Sequence, residues 1–348
     1  MRIDSINASS EIANYKKEKI KYILLLCFGV FFILIGMILT ISIGNYHTTL
    51  RETFNAIINP DENEQIFNII IYSRMPRMLG SLLVGAALSV SGYCYQSIFK
   101  NKMASPDLLG VSAGSSVGAV IAILSGLSYA FISVFSFVGG IISVVITVTI
   151  SSLFKNDNKS VSLLLSGIVI SGLMNSFVGL AKFIADDSVL VSITYWLLGG
   201  FTNVRYEQLC IAGPIIVLCV ILLVLLRWKI TILQNNDADA ISHGINVKRT
   251  RFIIIVFATI ATAISVSISG TIGWVGLAIP NLINLIVKND SKKAFVLSAI
   301  YGSLFTMICD LLSRTLSNSE IPVGIITGFF GAIIFIVVLV FRRLKNGH

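Results

Sequence analysis

The side chains in this sequence that could hold a charged partner or move a proton are few. Arg74 and Arg77 flank Met75 and Pro76 at the front edge of "MLGSLLVGAALSVSG", a long apolar run. A planar guanidinium binds a carboxylate through two parallel hydrogen bonds, so two of them at the mouth of an apolar segment suit either recognition of an acidic group or snorkelling to the membrane interface. Asp310 stands four residues before Arg314, one helical turn, which lets its carboxylate pair with that guanidinium and orient it. Asp237, followed by Ala238, Asp239, Ala240, Ile241, Ser242, His243 and Gly244, suits the cap of a short helix that Gly244 ends.

Other chemistries lack their residues. No Gly-x-x-x-x-Gly-Lys-Ser/Thr phosphate loop occurs, so any use of ATP falls to a partner. Cys27, Cys94, Cys210, Cys219 and Cys309 lie in apolar stretches without Cys-x-x-Cys spacing, and His47, His243 and His348 are far apart. Neither a disulfide framework nor a metal centre is expected, and no cofactor. A membrane enzyme would need paired carboxylates, a histidine cluster or an activated nucleophile at membrane depth. An ion-coupled transporter keeps buried ionisable groups as a relay, whereas Asp310 is the one clear carboxylate within the apolar runs. A secondary transporter working alone is therefore the weaker alternative, and an enzyme weaker still.

The elements that must position these residues are membrane helices. The chain has 348 residues, 55% hydrophobic and 12% charged, against about 25% charged in soluble domains. Apolar runs of about 20 residues, enough to cross ~30 Å of hydrocarbon as a helix, recur along its length. Ten spans are expected, near 22–43, 75–99, 108–125, 129–153, 161–184, 208–226, 252–270, 275–287, 294–313 and 321–341. The first is too long for a secretory signal core and no cleavage site follows it. Lys16, Lys17, Lys19 and Lys21 precede it and place the N-terminus in the cytoplasm, with Arg342, Arg343 and Lys345 returning there. Under this topology twenty of the 26 Lys+Arg lie inside and six outside. The net charge of +9 thus reads as orientation, not as a nucleic-acid surface.

Residues 1–21 form a cytoplasmic segment, 22–341 the transmembrane domain with a long inner loop at 227–251, and 342–348 a cytoplasmic tail. The eighth span is short, contains Pro280 and has Gly270, Gly273 and Gly276 at its front. Irregular backbone at that depth must lie against protein or water, either as a kinked packing helix or as a substrate-contacting one. Gly110, Gly114 and Gly118, and again Gly324 and Gly328, offer small-xxx-small faces for close helix approach.

Four stretches, "RMPRMLGSLLVGAALSVSG", "NKMASPDLLGVSAGSSVGA", "GTIGWVGLAIPNLINLIV" and "SRTLSNSEIPVGIITGFFGAIIF", resemble in order and spacing the signatures of FecCD-type permeases. These are the membrane subunits of ABC importers for iron-siderophores, haem and cobalamin, and the resemblance runs from about Ile20 onward. It implies an all-α, ten-helix subunit of the type II importer fold, with inverted repeats over helices two to five and seven to ten. It further implies a permease dimer, of identical or paralogous chains, in a bacterial cytoplasmic membrane. Two ABC ATPase subunits would bind inside, an extracytoplasmic substrate-binding protein outside, and a metal chelate would pass through.

By the same resemblance Arg74, Arg77 and Arg314 dock the binding protein. The helix of Asp237, Ala238, Ala240, Ile241, His243 and Gly244 sits in a groove of the ATPase, and Asn101, Lys102, Met103, Lys159 and Ser160 border the cytoplasmic gate. The sequence departs from the family at three places. His243 replaces a Leu, Lys102 and Met103 replace the Pro and Leu of Asn-Pro-Leu, and Asn281 and Asn284 replace the His and Arg of Pro-His-x-x-Arg. Roles resting on that histidine or arginine do not carry over, although Asn can still hydrogen-bond.

Overall fold

The computed structural model describes the backbone of residues 2–44, 46, 48–154, 159–287, 291–317 and 319–346. Side chains are described for 16–44, 46, 48–61, 63–154, 161–234, 236–287, 292–317 and 319–344. In chain order the α-helices are α1 (Arg2–Ser42), α2 (Leu50–Ile58), α3 (Glu64–Ile69), α4 (Met75–Ile98), α5 (Val111–Leu124), α6 (Tyr129–Leu153), α7 (Lys159–Ile184) and α8 (Asp187–Leu198). They continue as α9 (Tyr206–Leu225), α10 (Arg227–Asn235), α11 (Asp237–Ser242), α12 (Val247–Ser269), α13 (Val275–Ile286), α14 (Ser291–Thr315) and α15 (Val323–Asn346).

Among the described residues eight helical stretches are long and apolar enough to cross a membrane, and α5, α8 and α13 are shorter apolar helices. Those eight with α5 and α13 coincide with the ten expected spans. Two boundaries differ widely, and one further apolar helix is present. The first helix starts at Arg2 rather than near Tyr22, and the second apolar stretch starts at Glu64, ten residues before Arg74. The apolar helix α8 falls in what reads from the sequence as an outer connection, because its 12 residues are too few to span.

At the centre lies α4, packed against α14, α12, α13 and α9. Lipid tails are as apolar as leucine, so close backbone approach rather than water exclusion holds such helices together. The glycines of α4 permit it: a Cβ at Gly85 would lie 2.4 Å from the Gly302 carbonyl oxygen, and one at Gly92 only 1.8 Å from that of Gly276. The same device joins α5 to α6, where Gly114 and Gly118 meet Gly139 and the Phe135 carbonyl, as their spacing suggests. Gly324 packs on the Leu198 carbonyl, whereas Gly328 meets only Trp274 at 4.0 Å.

The irregular eighth span is enclosed by protein. Helix α13 packs against α4, α14 and α15. Pro280 cannot donate to the Gly276 carbonyl four residues back, and Gln96 Nε2 of α4 fills that vacancy at 3.2 Å.

Candidate functional site

The stretch leading into α4 is one helical run with a π-turn at Ile70–Arg74. Met75 N–H donates to Ile70 O, five residues back, and Pro76 follows with no N–H to give. The turn absorbs the missing donor and rotates the start of α4. Arg74 and Arg77 therefore sit inside the helical run rather than ahead of it, and both are buried, as is Arg314.

Arg77 is engaged on every nitrogen from within the chain. Its Nε donates to Asp310 Oδ1 at 2.6 Å, Nη1 to Glu320 Oε2 at 2.8 Å and to Thr202 Oγ1 at 3.4 Å, and Nη2 to Ser313 Oγ at 3.3 Å. Asp310, fully buried in α14, also meets Arg314 Nη2 through Oδ2 at 3.0 Å, the one-turn pairing expected from their spacing. That contact is one of charge rather than an aligned hydrogen bond. Burial alone would raise the Glu320 carboxyl, but the Arg77 guanidinium outweighs it and holds the group below the ordinary carboxylate range.

Arg74 reaches no carboxylate in these contacts. Its Nη1 donates to Ile41 O at 2.7 Å, Ser42 O at 2.9 Å and Thr48 Oγ1 at 2.9 Å, and its Nη2 to Tyr46 O. Arg314 Nη1 adds Thr40 O at 3.3 Å and Ile43 O at 3.4 Å. Two cations thus cap the carbonyl end of α1, where the helix dipole is negative and the last C=O groups have no partner along the helix. The cluster holds three arginines and two carboxylates and keeps one positive charge. The sequence does suggest Arg74, Arg77, Asp310 and Arg314. Glu320, Thr202 and Ser313 are not among the residues expected from the sequence, although the lone carboxylate of "SEIPVG" beside an apolar run is a usable signal for the first.

A cavity of about 750 Å³ opens beside this cluster, and Thr202 and Glu320 lie on its wall. Helix α8 contributes Ser192, Tyr195 and Trp196, and the buried indole N–H of Trp196 has no acceptor among the described residues. The lining is mostly apolar, with Thr202 and Glu320 among its polar groups.

The opposite, lysine-rich end is built differently. Asn236 caps α11, accepting from Ala238 N–H at 3.4 Å, and Asp237 is the first helical residue rather than the cap. Its carboxylate is thereby released to bind Lys100 Nζ at 2.9 Å and Arg251 Nη2 at 2.8 Å. Partial burial would raise that carboxyl, but the two cations prevail and lower it. Gly244, at φ +73°, ends α11 as expected, with Ile245 N–H on Ala240 O and Gly244 N–H on Ile241 O, both at 2.9 Å. This left-handed turn buries Ala240 and Ile245 and leaves Ile241 66% exposed at the surface. His243 is exposed, with Nδ1 2.7 Å from Asp239 O and its ring edge-on to Trp228.

Lys100 takes a left-handed conformation at φ +51° and opens the turn Asn101, Lys102, Met103. Asn101 Oδ1 accepts from Met103 N–H at 2.9 Å, and Asn281 Nδ2 of α13 donates to Lys102 O at 2.7 Å. Asn281 thus hydrogen-bonds from the place of the missing histidine. Lys159 and Ser160 open α7, and their side chains lie outside the described residues.

A bundle of membrane-length helices with a cavity at one end and an exposed short helix at the other fits a multi-pass transport permease. The chain belongs to the FecCD transport family, which matches residues 32–341. It is 33% identical over 300 residues, 86% of this chain and 91% of the relative, to the "Probable iron chelatin transport system permease protein" of Helicobacter pylori strain 26695. It is 31% identical over 327 residues, 90% of this chain and 94% of the relative, to the molybdate import system permease protein MolB of Haemophilus influenzae. A solved metal-chelate type ABC transporter in an inward-facing conformation superposes with a TM-score of 0.81 at 29% identity, covering 91% of this chain and 98% of that one. Like its family, the chain is an ABC importer permease subunit and not an enzyme.

Proposed function

We propose that this chain carries an iron-siderophore type of metal chelate across a bacterial cytoplasmic membrane as half of a permease dimer. Haem or cobalamin is the alternative cargo. An external binding protein delivers the chelate to the arginine end, at Arg74, Arg77 and Arg314, and two ATPase subunits drive the bundle from the lysine-rich end. The positive-inside rule supports that orientation, since both α1's lysines and the cations around α11 lie at one end.

The observation that carries the reading is the link between α11 and the turn after α4. Ile241 projects from α11 as an apolar knob for a partner's groove, with Asp237, Ala238, Ala240, His243 and Gly244 shaping the helix that presents it. Asp237 joins that helix directly to Lys100, and Asn281 fastens the adjoining Lys102. A push on α11 reaches Asn101, Lys102 and Met103, the proposed gate with Lys159 and Ser160, through one ion pair. ATP shifts the bundle between outward- and inward-open states only as far as the ATPase binds the two differently.

The test is solubilisation of native membranes holding a C-terminally tagged copy, followed by mass spectrometry of what co-purifies. Recovery of an ATPase with a phosphate loop, a binding protein and any second permease is expected. Recovery of the chain alone, under conditions that hold a known ABC complex together, would overturn the proposal in favour of a transporter working alone.

A further inference from the structure

The two carboxylates of the arginine cluster differ in how firmly they are held. Asp310 is 0% exposed, belongs to α14 and touches both Arg77 and Arg314. Glu320 is 29% exposed and sits on the connection between α14 and α15, reached by Arg77 Nη1 at 2.8 Å and Thr202 Oγ1 at 2.7 Å. The remaining edges of Arg77 face Asp310 and Ser313, both buried. Of the two acceptor carboxylates on Arg77, Glu320 is the one that water can reach and a loop can withdraw.

We propose that Arg77 Nη1 and Thr202 Oγ1 form a carboxylate-binding site that Glu320 fills at rest and that an acidic side chain of the incoming binding protein takes over. The inference rests on the docking reading above and adds what must leave for docking to occur. Direct addition of a third carboxylate would place it against Glu320, and like charges in contact repel. Exchange avoids this: Arg77 keeps its ion pair, and Glu320 turns into water, where its charge is hydrated at little cost. The surplus positive charge of the cluster favours the arrival of an acidic surface.

Exchange also alters the cavity. Thr202 lies on the α8–α9 connection and Glu320 on the α14–α15 connection, and both border the 750 Å³ space. Their 2.7 Å hydrogen bond ties these connections across its wall. The α14–α15 connection stays anchored through Ser313, whose Oγ donates to Ile321 O at 2.7 Å while Ile321 N–H donates to Ser313 O at 3.1 Å. Withdrawal of Glu320 therefore removes one tie on the α8–α9 side, where Gly199 O still accepts from Gly324 N–H at 3.4 Å, so docking loosens that rim of the cavity without freeing it.

The experiment measures affinity of the co-purified binding protein for the intact transporter in lipid nanodiscs, with Arg77→Gln, Glu320→Gln, Glu320→Asp and the double variant Arg77→Gln with Glu320→Gln. A site occupied internally most of the time lowers apparent affinity by the fraction left open, so Glu320→Gln should tighten binding by about three- to tenfold. Glu320→Asp, which keeps every charge and shortens only the internal occupant's reach to Arg77 and Thr202, should tighten it less, Arg77→Gln should weaken it, and the double variant should match Arg77→Gln. If Arg77→Gln weakens binding while Glu320→Gln and Glu320→Asp leave it unchanged or weaker, the exchange is wrong and the docking reading survives. If Arg77→Gln changes nothing, or no binding protein is recovered, docking itself fails and the exchange with it. Should Glu320→Gln not fold, as read by gel filtration and melting, Glu320→Asp decides alone.

Discussion

At the arginine end three guanidinia and Asp310 lie beneath the surface, and the two carboxylates meet Arg77 and Arg314 at 2.6 to 3.0 Å. At the lysine-rich end Asp237 meets Lys100 and Arg251 at similar distances, 2.9 and 2.8 Å, with Asp237 40% and Lys100 37% exposed. Equal distances conceal unequal energies. Removing one partner from a buried pair strands the other charge at low dielectric, whereas water and salt rescue an exposed pair. The first end fixes which helices sit together, and the second can break and remake its contacts within a transport cycle.

The largest effect should come from Asp310→Asn, which leaves Arg77 and Arg314 without their shared counter-ion. A loss of about 3–5 kcal/mol is expected, seen as a lowered melting temperature in detergent. A melting curve unchanged by this substitution would erase the contrast between the ends.

A smaller effect follows from pH. The folded carboxyl of Glu320 titrates below its ordinary value of 4.5, so its pairing contributes fully above that value and is lost as pH falls through the lowered one. The melting temperature of the parent chain should hold steady from neutral pH to about 5 and then fall, and Glu320→Gln should remove part of that fall.

Asp237→Asn should cost less than about 1 kcal/mol of stability, because the pair is exposed. Uptake should nonetheless drop, by roughly 2- to 30-fold if the pair carries coupling between α11 and the gate turn, with ATP hydrolysis by the complex retained. Equal loss of stability and uptake would make Asp237 a structural residue only. The smallest change is expected from Lys100→Gly, where release of left-handed strain, about 1 kcal/mol, offsets the lost ion pair. Near-parental melting with reduced uptake would assign Lys100 to coupling rather than to stability.

Span count and helix-packing glycines were legible in the sequence because each rests on a local pattern: an apolar run of sufficient length, or small residues four apart. The pairing of Asp310 with Arg314 was legible for the same reason. The burial of Arg74 was not, since it depends on a π-turn and on carbonyls some thirty residues away at the end of α1. Helix α8 escaped notice because length was the criterion for a span, and a 12-residue apolar helix lining a cavity fails it. Asp237 looked like a cap by residue type, but the neighbouring Asn236 competes for that place and wins it. Glu320 acquires its partners only when α4 and the α8–α9 connection come together, a meeting no single stretch encodes.

The capping of α1 by Arg74 and Arg314 has a consequence for how the protein is made. Translation delivers α1 first, yet the carbonyls at its far end obtain their last donors from a residue 271 to 274 positions later. Until α14 is inserted, that end of the first helix lacks part of its hydrogen bonding in a setting where unsatisfied groups are costly. Nascent chains stalled before Arg314 are therefore expected to be unfinished at both ends and recognisable to membrane quality control as incomplete, however well their individual helices have been inserted.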